Sequence, residues 1–132
     1  VKPSDQGATL PRLVAQALEL GARAAEQSWG RGPNDPHHWE QLRTGVDILH
    51  LCGDATSGPS VALLRYQPGA RVPRHRHAGF EVIYVLSGAQ SDERGTYTAG
   101  TLVVNREGDA HDVWSDEGCL VLIIWERPIE FV

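Results

Sequence analysis

The chain of 132 residues contains no methionine and only two cysteines, Cys52 and Cys119. Two cysteines are too few to staple a secreted disulfide scaffold, so both are read as reduced, partly buried thiols. No run approaches the ~20 apolar residues of a transmembrane helix. The N-terminus carries neither the basic nor the apolar region of a signal peptide, and the expected location is cytoplasmic. Without a methionine the chain opens at Val1, which leaves two readings: a processed start, or a fragment of something longer. Basic residues are also short. The 12 Lys and Arg against 17 Asp and Glu give a net charge of −5. That balance argues against nucleic acid as a partner, and against an anionic membrane surface.

What is present suffices for one domain with one core. Residues 1–38 read as a tail and a short N-terminal helix packing on the remainder or on a partner subunit. Thr9 is a candidate cap, and Leu10, Leu13, Val14, Ala17 and Leu18 recur at helical spacing. From Trp39 the character changes to short apolar runs separated by glycine-rich turns. The runs are Val46 to Cys52, Val61 to Tyr66, Val72 to His77, Phe80 to Leu86, Tyr97 to Thr98, Thr101 to Asn105, His111 to Trp114 and Leu120 to Trp125. Pro128 makes Ile129 to Val132 an edge strand at best. The pattern predicts an all-β sandwich or barrel over residues 39–132.

One segment carries chemistry. His75 and His77 stand two residues apart, and side chains at i and i+2 share one face of a strand. Arg74 and Arg76 then point the other way. Gly79 is a turn, so Glu81 can face the same pocket from the next strand. His111 follows the Gly108-Asp109 turn and starts another strand. Three imidazoles and a carboxylate suit one divalent ion with room for a ligand: iron or zinc first, with nickel, manganese or cobalt also compatible. Protonation competes with such binding, so the ion should be lost at acidic pH. Each ligand histidine should offer its second nitrogen to a carbonyl or carboxylate.

These residues resemble the first cupin motif, Gly-x5-His-x-His-x3-Glu-x6-Gly, with Gly69, His75, His77, Glu81 and Gly88 at every fixed position. Gly100, Gly108 and His111 match the second motif, in which Arg106 replaces a proline and Ser115 an asparagine. The text around them, including Ala62-Leu63-Leu64-Arg65-Tyr66 and Trp114-Ser115-Asp116-Glu117-Gly118-Cys119, is similar to the cupin domain of ChrR-like anti-sigma factors and their free-standing relatives. The resemblance implies an antiparallel jelly-roll barrel whose metal is held by His75, His77, Glu81 and His111. It permits a metal-dependent dioxygenase acting on a small oxygenated substrate such as a diketone or hydroxyketone. The alternative is a sensor or regulatory module without turnover. In such anti-sigma factors a separate zinc domain with a His-x3-Cys-x2-Cys pattern holds the sigma factor. No such pattern precedes Cys52 here, so a sigma factor is expected as partner only if the chain is part of a longer one. A homodimer is expected from exposed strand edges and the apolar N-terminal helix.

Other polar features read as structural. Arg65, Arg71, Arg74 and Arg76 suit a solvated face better than an anion site. His37-His38 reads as an exposed loop pair, His50 as a hydrogen-bonded half-buried side chain, and Cys52 as a core thiol. Among the tryptophans, Trp114 is the candidate for a pocket wall.

Overall fold

The computed structural model describes residues 39–53 and 56–132. The expected N-terminal helix, the His37-His38 pair and the boundary at residue 38 lie outside them. The described residues form ten strands: β1 (Glu40–Arg43), β2 (Val46–Cys52), β3 (Ser60–Tyr66), β4 (Ala70–His77), β5 (Glu81–Asp92), β6 (Gly95–Thr98), β7 (Leu102–Asn105), β8 (Ala110–Ser115), β9 (Cys119–Trp125) and β10 (Ile129–Phe131). All pairings are antiparallel, and the strand order β1-β2-β3-β9-β5-β8-β4-β10 makes a jelly roll. The first half of β5 pairs with β9 and β7 in a first sheet that also holds β1, β2 and β3. Its second half pairs with β6 and β8 in a second sheet that also holds β4 and β10. β10 is an edge strand, as Pro128 predicts.

Two irregularities decide what faces inward. Ala70 and Val72 point into the barrel, and so do His75 and His77, although strict alternation would put the two pairs on opposite faces. The register shifts between Val72 and His75, where Pro73 has no N–H to give to a ladder. That bulge keeps the whole inner face of β4 inside.

β5 holds the second irregularity. Ending this strand at Leu86 is corrected by the structure, because it runs on to Asp92. Its register against β9 shifts between Val85 and Ser87, and Gly88 follows with φ +73°. A Cβ on Gly88 would lie 2.0 Å from the Gly118 carbonyl oxygen, so the two backbones meet only because no side chain is there. Past this kink the inward parity changes, and Gln90 and Asp92 join the interior.

The interior core gathers Val46, Ile48, Leu64, Tyr66, Val85, Val121 and Ile123. A second apolar cluster, with Leu49, Leu63, Val82, Leu122 and Ile124, occupies the opposite face of the first sheet. Alternate residues of β2, β3 and β9 thus feed one cluster or the other.

Candidate metal centre

β4 and β8 run side by side, with His75 opposite His111. His77 lies one pleat further along β4. The three imidazoles are buried, at 3%, 1% and 3% exposure for His75, His77 and His111. Their candidate ligand atoms all lie within 4.8 Å of one another. Ring centroids are 4.8 to 5.1 Å apart, edge to face. Both ring nitrogens of His77 and Nε2 of His111 are buried without a hydrogen-bond partner. Nδ1 of His75 meets the Pro73 carbonyl at 2.9 Å, and Nδ1 of His111 meets Asp92 Oδ2 at 3.0 Å. Buried polar atoms left unpaired are costly, and a cation among the three rings would satisfy Nε2 of His111 and one of the two His77 nitrogens. The donor set therefore fits a metal ion.

Glu81 stands beside the trio. Its Oε1 is 3.1 Å from His77 Nε2, a contact without hydrogen-bond alignment. Asn105 Nδ2 donates to Oε1 at 2.9 Å, and Trp125 Nε1 donates to Oε2 at 2.6 Å. These two donors fix the carboxylate plane. Arg94 ties the surroundings together, since its guanidinium donates to Asn105 Oδ1 and to Asp92 Oδ2. One arginine thus braces the residue beneath His111 and the residue beneath Glu81.

The protonation states suit a metal. Burial pushes His75 below the ordinary imidazole range, although the Pro73 carbonyl and the Glu81 charge pull the other way. Burial alone would raise Glu81. The contact with His77 and the three nearby imidazoles overcome it and hold the carboxyl below its usual range. Asp92 is likewise lowered. Burial opposes this, but hydrogen bonds from His111, the Arg94 backbone and Tyr97 prevail. An unprotonated His75 and an ionised Glu81 are the forms that ligate.

The sequence reading missed Asp92, Asn105, Trp125 and Arg94. Asn105 carried a signal, as a polar residue closing an apolar run and, here, 0% exposed. Asp92 and Arg94 were hidden beyond Gly88, read as a turn. Two readings need correction. Trp114 is no pocket wall: β8 turns His111, Val113 and Ser115 inward, so a residue three positions after His111 faces out, where Arg71 covers its ring. Cys52 is exposed at the end of β2, while Cys119 is buried and its thiol pushed up to about 11 by desolvation. His50 is half-buried as expected, with its Nδ1 buried and unpartnered. The arginines behave as a solvated face: Arg65, Arg71, Arg74 and Arg76 pair with Asp47, Asp112, Glu93 and Glu130.

Residues 32–127 match the ChrR cupin-like domain. The chain belongs to that family. It is 33% identical over 96 residues to the anti-sigma-E factor ChrR of Cereibacter sphaeroides, covering 70% of this chain and 44% of that protein. The ChrR-like chain thus spans less than half the length of this curated relative. The crystal structure of Rhodobacter sphaeroides SigE in complex with the anti-sigma ChrR aligns with a TM-score of 0.58 at 28% identity, covering 65% of this chain and 46% of that one. An acetylacetone dioxygenase from Acinetobacter johnsonii aligns with a TM-score of 0.66 at 14% identity, covering 80% and 78%. That second likeness shows the fold alone. Among the described residues no helix is long and apolar enough to cross a membrane.

Proposed function

We propose that this ChrR-like cupin holds one divalent metal ion on His75, His77, Glu81 and His111. The observation that supports this most strongly is the trio of buried imidazoles with unpartnered nitrogens. Pro73 and Asp92 occupy Nδ1 of His75 and His111, which leaves Nε2 of each for the ion. Two donors at right angles, each ~2.1 Å from one ion, are about 3 Å apart. The 3.1 Å between Glu81 Oε1 and His77 Nε2 suits such a pair. Each Glu81 oxygen accepts one hydrogen bond and keeps a second lone pair. Iron or zinc suits this set first, and nickel, manganese or cobalt is compatible. When bound, the ion supplies Lewis-acid polarisation to a small oxygenated ligand. Asn105, Trp125, Asp92 and Arg94 position the ligating side chains.

The role we infer is that of a sensor or regulatory module without turnover. The space beside His75 and Glu81 is about 30 Å³. That is room for a water or two, not for a multi-atom substrate. The relationship to an anti-sigma factor supports the same reading. A sigma factor would be the partner where this cupin forms part of a longer chain. A second reading, a dioxygenase for a small oxygenated substrate, is favoured by a wider cleft sharing walls with that space. We further propose a cytoplasmic homodimer, for which Leu102 and Val104, exposed on β7 at the edge of the first sheet, offer an apolar contact.

Elemental analysis of protein purified without added metal tests the centre. Wild type should hold about one equivalent, and His77→Ala less than about a tenth of that. Equal, sub-stoichiometric metal in both would refute the site. Iron-loaded protein should then consume no oxygen with pentane-2,4-dione. Sustained uptake would move the assignment to the dioxygenase.

A further inference from the structure

We propose that the cleft between β1 and β10, the outermost strands of the barrel, binds a small apolar monocarboxylate through Arg43. The cleft has a volume of about 420 Å³, inside the ~300–1,000 Å³ of small-molecule sites. Its walls include Leu42, Ile48, Val72, Trp125, Ile129 and Phe131. Leu42 and Phe131, at 44% and 54% exposure, present apolar surface at the mouth. Leu42, Val72, Trp125 and Ile129 also line the small space beside His75 and Glu81. The cleft therefore leads toward the candidate metal centre.

One cation lies in this apolar setting. Arg43 is the only arginine among the described residues that is not exposed. Arg65, Arg71, Arg74, Arg76 and Arg94 each reach a carboxylate, whereas Arg43 reaches none among the described residues. Its Nε is buried without a hydrogen bond, and its guanidinium lies 4.7 Å over the Phe131 ring. A ring face attracts the cation but does not meet the Nε–H. Glu40, on the exposed rim of the same cleft, has an interaction of its own. A half-buried guanidinium with no carboxylate partner among the described residues, set beside aliphatic and aromatic walls, is complementary to a carboxylate with an apolar body. The acid head pairs with the fork of Arg43, and the body lies along Leu42, Val72 and Ile129. Phe131 also packs against the His75 ring, centroids 6.1 Å apart, so an occupied cleft would press on a candidate ligand histidine. The inference deepens the regulatory reading by naming the class of compound to which the module responds. It rests on that reading for this consequence alone.

The test titrates octanoate and octan-1-ol into the metal-loaded full chain by calorimetry. Octanoate should bind about tenfold more tightly than the alcohol, the increment of one charge-assisted pair. Arg43→Gln should erase that preference and leave alcohol binding within about twofold. Arg43→Lys, which keeps the charge but loses the fork, should fall between. Far-UV circular dichroism and metal content establish that each variant is folded, and Arg43→Lys carries the test if Arg43→Gln does not fold. His77→Ala should lose metal yet keep octanoate. Loss of octanoate binding in His77→Ala with retention in Arg43→Gln would place the acid on the metal and overturn the proposal. Equal affinity for acid and alcohol in wild type, or no binding of either, overturns it too. Wild type that binds octanoate but no metal would sink the metal reading and leave the cleft standing.

Discussion

In the first sheet, β3 and β9 are buried on both faces; in the second, β4 and β8 are buried on one. Leu63 and Leu122 turn away from the barrel interior yet are 1% and 2% exposed. Arg74 and Arg76, which also turn outward, are exposed and salt-bridged. The two sheets divide the labour. A sheet apolar on both faces supplies the burial that holds the jelly roll together. A sheet wet on its outer face can spend its inner positions on histidines, because its strands need no second apolar face. From Arg74 to His77, alternation also fixes which side chains enter the pocket, since a slip of one residue would exchange imidazoles for guanidiniums.

Cutting into the first sheet should give the largest effect. Leu63→Ala removes a fully buried side chain from the outer cluster and should cost about 2–5 kcal/mol of stability. Urea unfolding checks it, and metal stoichiometry of the folded fraction should not change. A variant that unfolds no earlier but loses its metal would reverse the proposed division. The next effect belongs to the second sheet. Asp92→Asn leaves the Nδ1 side of His111 without its carboxylate and should weaken metal affinity about 10–100-fold. Competition with a chelator measures this, and urea stability of the apo form at neutral pH should change far less than in Leu63→Ala.

The same contrast explains what could be read in advance. The strands from Val46 to Cys52 and onward were legible because apolar runs and glycine turns are local signals. His75, His77, Glu81 and His111 were legible because their spacing places them on neighbouring strands. The bulges were not. Pro73 and Gly88 change inward parity, and nothing in a two-residue period announces where that happens. Asp92 therefore stayed hidden behind an apparent turn. Trp125 was hidden for another reason. Its bond to Glu81 depends on the pairing of β5 with β9, a contact across 44 positions of sequence. The same dependence on long-range pairing conceals the cleft that holds Arg43.

Titration should separate two buried groups of the second sheet by pH. His75, buried in the second sheet, is lowered in the folded state, so below about pH 6.5 the unfolded chain takes up its proton more readily. Apo protein should lose stability as pH falls from about 6.5 toward the folded value. His75→Gln should flatten that window. Asp92 acts lower down. Its carboxyl is held below the usual range, so its contribution is complete above about pH 4 and disappears as pH falls through the folded value. The stability gap between wild type and Asp92→Asn should close there. Urea midpoints in chelator across the two windows check both, and a gap widening toward acid would contradict the assigned direction.

The smallest effect should come from the outer face of the second sheet. Arg74 reaches Glu93 Oε1 at 3.2 Å, and Arg76 reaches Glu130 Oε1 at 2.6 Å. All four side chains are about half exposed, so water screens both pairs. Glu93 also accepts the Asp112 backbone N–H at 2.8 Å, a bond that survives loss of the arginine. Arg74→Ala should therefore cost less than about 0.5 kcal/mol and leave metal content unchanged. Set beside Leu63→Ala, also directed outward but from the other sheet, it isolates the variable that matters. Both truncate an outward side chain on a strand of the same barrel, one buried and apolar, the other exposed and ion-paired. A cost for Arg74→Ala approaching that of Leu63→Ala would mean that charge pairs, not apolar contact, hold the second sheet against the first.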